Sequence, residues 1–358
     1  MQLVTSDPSG RTSLLDLASE QRSQLGELGP TDAMTSDGRF VFASSASDGT
    51  VAIVDSGTWT VDHEDHFHYY RATPRTVGTV QGNGLGVVHS NSSLTLVSFV
   101  ESGTAVVLDS ADLARGTVSE LRTLGPDLIA DAAVPLGHHV LAPVAAAGTA
   151  ADTVHAFDAD GSLIASADCT ALDGSITSKV GVVFGCADGA ILATESADGV
   201  VFERIPYPQQ VSEGDRARDF RSRAGRPVVS APAGELGAWL LDTRARSWSL
   251  LASEEPLLQV VAVDDQEHNV VALTRSGRIA VFNAQSGAVL AHTEAILSAS
   301  LSDERWSHAI ELIIDANRAY IASPAEQRAY EIDFADQARI ARSFDFETAP
   351  AFMAVTGR

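Results

Sequence analysis

An all-β ring of eight four-stranded units is predicted by three observations: a repeated strand-and-turn phrase, the spacing of that phrase, and a chain whose last strand supplies what its first unit lacks. The phrase is an apolar alternating strand closed by an acidic or amide residue and a turn. It occurs at Leu14-Leu15-Asp16, Ile53-Val54-Asp55, Val107-Leu108-Asp109, Ala156-Phe157-Asp158, Ala193-Thr194-Glu195, Leu240-Leu241-Asp242, Val281-Phe282-Asn283 and Glu331-Ile332-Asp333. Successive intervals of 39, 54, 49, 37, 47, 41 and 50 residues average about 45, the length of a four-stranded propeller blade.

A second phrase, in which a turn launches a strand, stands ahead of most of these markers. Examples are Ser36-Asp37-Gly38-Arg39-Phe40, Gly137-His138-His139-Val140, Asp265 to Val271 and Asp315 to Ile321. Turn, strand, turn and marked strand together read as a hairpin-rich meander. No amphipathic helix is expected. The chain opens in mid-blade, Gln2–Thr5 and Thr12–Leu17 reading as second and third strands, and ends on Ala351-Phe352-Met353-Ala354-Val355. The C-terminal strand should therefore complete the N-terminal blade and close the ring, which removes exposed sheet edges. The expectation is one all-β propeller domain spanning 1–358, of eight blades; seven is the alternative, because the 54-residue interval could hold an irregular unit.

Composition bounds the function. The formal net charge is −23 and Lys179 is the only lysine, so phosphate backbones are repelled and nucleic acid is not an expected partner. No apolar run reaches the roughly 18–20 residues that cross a bilayer as a helix. Two cysteines, Cys169 and Cys186, are close in sequence. A disulfide between them would contribute about 3 kcal/mol in the chain-entropy model, with two buried free thiols as the alternative. The disulfide reading places the protein in an oxidising compartment, periplasmic or extracellular, as a mature form trimmed of its export signal.

Chemistry concentrates in Asp62-His63-Glu64-Asp65-His66-Phe67-His68, where three of the ten histidines are interleaved with carboxylates. Imidazole nitrogen and carboxylate oxygen form a ligand set that zinc accepts. The stretch reads as a loop running into a strand, with His63, His66, His68, Asp62 and Asp65 as candidate metal ligands. The bland reading is a solvated acidic loop. His89, Asp131 and Asp173 are possible further ligands or channel residues. No Gly-x-Ser-x-Gly elbow, phosphate loop or dinucleotide fingerprint occurs, so no enzyme and no organic cofactor are expected. The run Arg216–Arg226, with five arginines beside Asp215 and Asp219, reads as a solvated connection laced by internal ion pairs, with an anion patch as the alternative.

With these residues in view, the chain resembles the AztD-type zinc metallochaperones, exported propellers that hand zinc to the solute-binding protein of a zinc importer. The resemblance is scattered over most of the chain. It rests on Asp62-His63-Glu64-Asp65-His66, on Val134-Pro135-Leu136-Gly137, on the segment from Cys169 through Gly174 to Phe184-Gly185-Cys186-Ala187-Asp188-Gly189, and on Ala319-Tyr320-Ile321-Ala322-Ser323-Pro324. It implies zinc as cargo and an importer's solute-binding protein as partner. Two positions depart from the family pattern: Ile129-Ala130-Asp131 stands where a histidine pair precedes Val134, and Asp173 where a histidine precedes Gly174. The implied site is richer in carboxylate and weaker for zinc. The rival reading is a metal-free propeller scaffold for a protein or glycan; a propeller hydrolase or lactonase with a channel metal is the remote third.

Overall fold

In the computed structural model, which describes residues 1–62, 67–126, 128, 133–144 and 152–357, eight small antiparallel sheets follow one another around a central channel. Each is a meander whose first strand lines the axis and whose last lies on the rim. The innermost strands are Phe352–Thr356, Ala33–Ser36, Gly86–Ser90, Val134–Leu136, Ser175–Thr177, Leu257–Ala262 and Ile313–Ile314 for blades one to five, seven and eight. Blade six has three strands, Val228–Pro232, Gly237–Asp242 and Ser247–Ala252. Its innermost position is held by Asp219–Ser222, joined to the sheet through a single bridge between Arg221 and Ser230.

The ring closes as the sequence predicts. Strand Phe352–Thr356 pairs with Gln2–Ser6 along its whole length, Leu3 opposite Val355 and Val4 opposite Ala354. Packing explains why middle strands read as almost continuous apolar runs. Each middle strand is covered on both faces by neighbouring blades, so both sets of alternating side chains are buried. Leu3, Leu15 and Val355 pack against Tyr320, Ala322 and Phe344 of blade eight, while Val4, Leu14 and Ala354 pack against Val41 and Val54 of blade two. Rim strands have no such cover: Arg22–Glu27 is almost wholly exposed where Phe40–Ser45 is wholly buried.

The repeated acidic marker has a structural job. It stands within one residue of the end of the third strand in every blade, and in seven of the eight its side-chain oxygen accepts main-chain N–H groups of the following turn: Asp16 from Ala18 and Ser19, Asp158 from Asp160 and Ser162, Asp242 from Arg244 and Ala245, Asn283 from Gln285 and Ser286. Asp55, Asp109 and Asp333 do the same for Gly57, Asp112 and Asp336. A short side-chain carbonyl or carboxylate that satisfies the turn amides is favoured here for that reason. The marker at Asp109 also caps a short helix, Ser110–Arg115, that Gly116 ends in the left-handed region. A second helix, Ser298–Leu301, has four residues; both are too short to display the amphipathic period that the sequence lacks.

The 54-residue interval has a definite cause. Blade two carries an inserted hairpin, Thr58–Asp62 paired with Phe67–Arg71, between its third strand Thr50–Asp55 and its rim strand Arg75–Gln81. The ring has eight blades, not seven, and the extra residues belong to this arm. Gly57 forms its hinge, with φ of +73° and space for no Cβ: an added methyl would meet the Ala72 carbonyl oxygen at 2.2 Å. Alanine at this position combines left-handed strain with a main-chain clash and is expected to cost about 1–3 kcal/mol. Greater proteolytic sensitivity of the hairpin than of the ring would check it.

Candidate functional site

The root of the hairpin is built from Asp55, Arg39 and Trp59. Asp55 is 3% exposed as a side chain. Its Oδ1 accepts from Gly57 N–H at 3.1 Å and from Arg39 Nε at 3.1 Å, while Oδ2 accepts from Arg39 Nη2 at 2.7 Å. A two-pronged guanidinium–carboxylate pair fixes orientation as well as charge. The same guanidinium lies 3.9 Å over the ring of Trp59, and Trp59 stacks on Tyr70 of the second hairpin strand with centroids 5.2 Å apart and planes 10° from parallel. Arg39 also donates to the carbonyl of Ala114 in blade three. Arg71 pairs with Asp16 of blade one, and Thr58 Oγ1 donates to Gln2 at 2.9 Å. An isolated two-stranded hairpin is marginal in water; this one is clamped to three blades.

Its second strand carries His68. In register, Val61 faces His68 and Asp62 faces Phe67; the stretch does run into a strand, Phe67–Arg71, as expected, while Asp62 ends the strand before it, a correction to the loop reading at that end. The charged residues hid the alternation that marks strands. His63, Glu64, Asp65 and His66 lie outside the described residues. His68 is exposed, its Nδ1 3.4 Å from the hydroxyl of Tyr70. Tyr69 beside it is 76% exposed.

The other expected ligands are spread over the ring. His89 lies in the innermost strand of blade three and faces the channel. Asp131 lies outside the described residues. Asp173 stands before the innermost strand of blade five and pairs with Arg218 at 3.0 Å. The hairpin leaves the end of a third strand, and in an antiparallel meander that end faces away from the start of an innermost strand. Asp173 and the hairpin are thus on opposite sides of the disc. Among the described residues no group of three or more His, Cys, Asp or Glu converges as a metal cage. Cys169 and Cys186 form a disulfide.

The channel encloses a cavity of about 610 Å³, lined by Ser36, Ser90, Thr177, His89 and a polar belt at blade six. In that belt Arg221 pairs with Glu311 and with Asp219 at 3.3 Å. Burial works against the guanidinium, but Glu311 and Asp219 outweigh it and hold its pKa above the ordinary value. The sequence places Arg221 in a solvated connection with internal ion pairs, which the pair with Asp219 bears out, but gives no sign of Glu311. Partners ninety residues apart leave no local signal.

No protein-family model matches the chain. Among solved structures it is similar to AztD of Citrobacter koseri, with a TM-score of 0.83 at 18% identity over 99% of this chain and 96% of that one. The apo form of the same protein gives 0.83 at 17% identity over the same shares. The dihydro-heme d1 dehydrogenase NirN, in complex with DHE, gives 0.61 at 15% identity, covering 99% of this chain and 75% of that one. At these identities the likeness is one of fold, and the chain shares the eight-bladed AztD-type β-propeller architecture from end to end.

Proposed function

We propose that this protein is an exported carrier of a divalent metal, zinc in the first place, that buffers the ion or passes it to the solute-binding protein of an importer. The observation that carries this reading is the clamped hairpin of blade two. Four strands already complete the blade, so the hairpin is an addition. It is held at its root by the Arg39–Asp55 pair, and the sequence that joins its two strands is the chain's densest run of imidazole and carboxylate. A carrier must leave its cargo within reach of an acceptor's ligands, and ligands on a projecting arm satisfy that better than ligands deep in a channel. His63, His66 and His68, with Asp62 or Asp65, are the proposed ligands. The fold shared with AztD supports the reading, and the disulfide supports export. Transfer of an ion requires no bond-making chemistry, and no catalytic role is proposed.

Elemental analysis of protein purified without chelator is expected to find zinc that the His63→Ala/His66→Ala/His68→Ala variant has lost. Calorimetry should show micromolar or tighter binding that falls steeply below about pH 6, as protons occupy the imidazoles. Binding no tighter than about millimolar, or equal zinc retention by the triple variant, would leave a metal-free interaction scaffold as the better description.

A further inference from the structure

The arginine run Arg216–Arg226 divides into two halves with different fates. Arg218 and Arg221 are neutralised by Asp173, Asp219 and Glu311. Arg223 and Arg226 follow them into the turn before Val228–Pro232, and neither forms an ion pair among the described residues. Arg223 is nonetheless buried, with 7% of its surface exposed. None of its nitrogens is both sealed from solvent and without a partner, so the donors of the guanidinium reach the surface while its stem is buried.

Two further turns bring their own cations to this one. The Lys179 N–H donates to the Arg226 carbonyl at 3.0 Å, and the Arg226 N–H to the Arg223 carbonyl at 3.2 Å. Thr243 Oγ1 donates to the Pro227 carbonyl at 2.6 Å and lies 3.3 Å from Ser178 Oγ. Lys179, Arg223, Arg226 and Arg244 are thereby gathered on adjoining turns of blades five and six. None is paired with a carboxylate among the described residues, in a chain with 47 acidic and 24 basic residues. Asp264, Asp265 and Asp315 act on Arg223 at longer range. Two of these are committed elsewhere: Asp265 to the main-chain and side-chain N–H groups of Asn269, and Asp315 to Asn317, Arg318 and Tyr320. Burial first, and then the charge of Arg226, hold the Arg223 guanidinium below its ordinary pKa.

We propose that these turns form a binding site for a small oxyanion carrying two or more negative charges, with Arg223 as its buried anchor and Lys179, Arg226 and Arg244 as its rim. The site lies on the side of the disc from which the hairpin projects, across the channel in the opposite sector. It stands independently of the metal reading. Inorganic phosphate and citrate serve as probes that separate a phosphoryl ligand from a polycarboxylate one.

The test is thermal unfolding and calorimetry on the full chain in low-salt buffer, with sodium chloride of matched ionic strength as control. One probe is expected to raise the melting temperature saturably, with half-saturation at or below about 1 mM, where matched chloride does not. Arg223→Gln should weaken that binding by at least about tenfold, and so should Lys179→Ala/Arg226→Ala, whose positions are exposed. If Arg223→Gln does not fold, the double variant decides. An equal shift in matched chloride, no binding of either probe, or unchanged half-saturation in the double variant would overturn the proposal.

Discussion

Leucine in place of Arg39 is expected to lower the free energy of unfolding by about 3.5–4 kcal/mol and to release the hairpin from blade two. The substitution keeps an apolar stem but strands Asp55, a carboxylate with almost no contact with water. What remains to it is one amide, Gly57 N–H, and Arg75 at 3.7 Å. Breaking a buried pair from one side typically costs about 3–5 kcal/mol; partial compensation by Arg75 places this case at the lower end. Loss of the cation over Trp59 adds about 0.5–1 kcal/mol. Urea denaturation gives the total, and the emission of Trp59 reports the local part. A companion, Arg39→Leu with Asp55→Asn, keeps an acceptor for the turn amide but removes the stranded charge, and should recover more than half of the loss. A drop under about 1 kcal/mol in the single variant would show that the clamp is only a surface ion pair.

Removing the disulfide should have a comparable effect. Cys169 and Cys186 are 17 residues apart, and a cross-link over a loop of this size contributes about 3 kcal/mol through the unfolded state. The bond ties the rim strand of blade four to the second strand of blade five. Between its ends the loop is laced to the ring by Ala187 N–H to Thr170 O, Asp173 N–H to Gly185 O and Gly185 N–H to Gly174 O. Both sulfurs are buried, Cys169 at 0% and Cys186 at 2% exposure, so a reductant should act slowly on native protein and quickly in urea. Cys169→Ala/Cys186→Ala is expected to shift the denaturation midpoint accordingly. A loss below about 1 kcal/mol would mean that main-chain bonds alone hold the loop.

The ring was legible because its causes are local and repeated. An aspartate that caps a turn must sit at the strand end, whatever lies around it, so Asp16, Asp158 and Asp242 announced their blades one at a time. Closure was legible for a related reason: Phe352–Val355 has the composition of an innermost strand, and the first blade was short of one. The hairpin was not, since Asp62, His66 and His68 break the apolar alternation by which a strand is recognised; only the long interval betrayed it. Nor was the clamp, because a turn arginine such as Arg39 looks the same whether it meets water or the face of a tryptophan. Blade six illustrates the same limit. Its arginines were read as a solvated connection laced by internal ion pairs, and Arg221 with Asp219 is such a pair; position along the fold adds Glu311 to Arg221 and leaves Arg223 without an ion pair among the described residues.

That blade has a consequence for how the molecule moves. Around most of the axis the inner wall is a strand, but at blade six it is one reciprocal pair of main-chain bonds, Arg221 to Ser230 and back, each 2.8 Å. Its neighbour two blades on is hardly longer, at Ile313–Ile314. Local opening is least costly where the fewest cooperative bonds must be given up together. The channel at the centre is therefore enclosed by a wall of uneven stiffness, firm at blades one, two, three and seven, whose innermost strands are the longest, and most compliant at blades six and eight. A disc drawn with eightfold regularity would not breathe evenly from blade to blade.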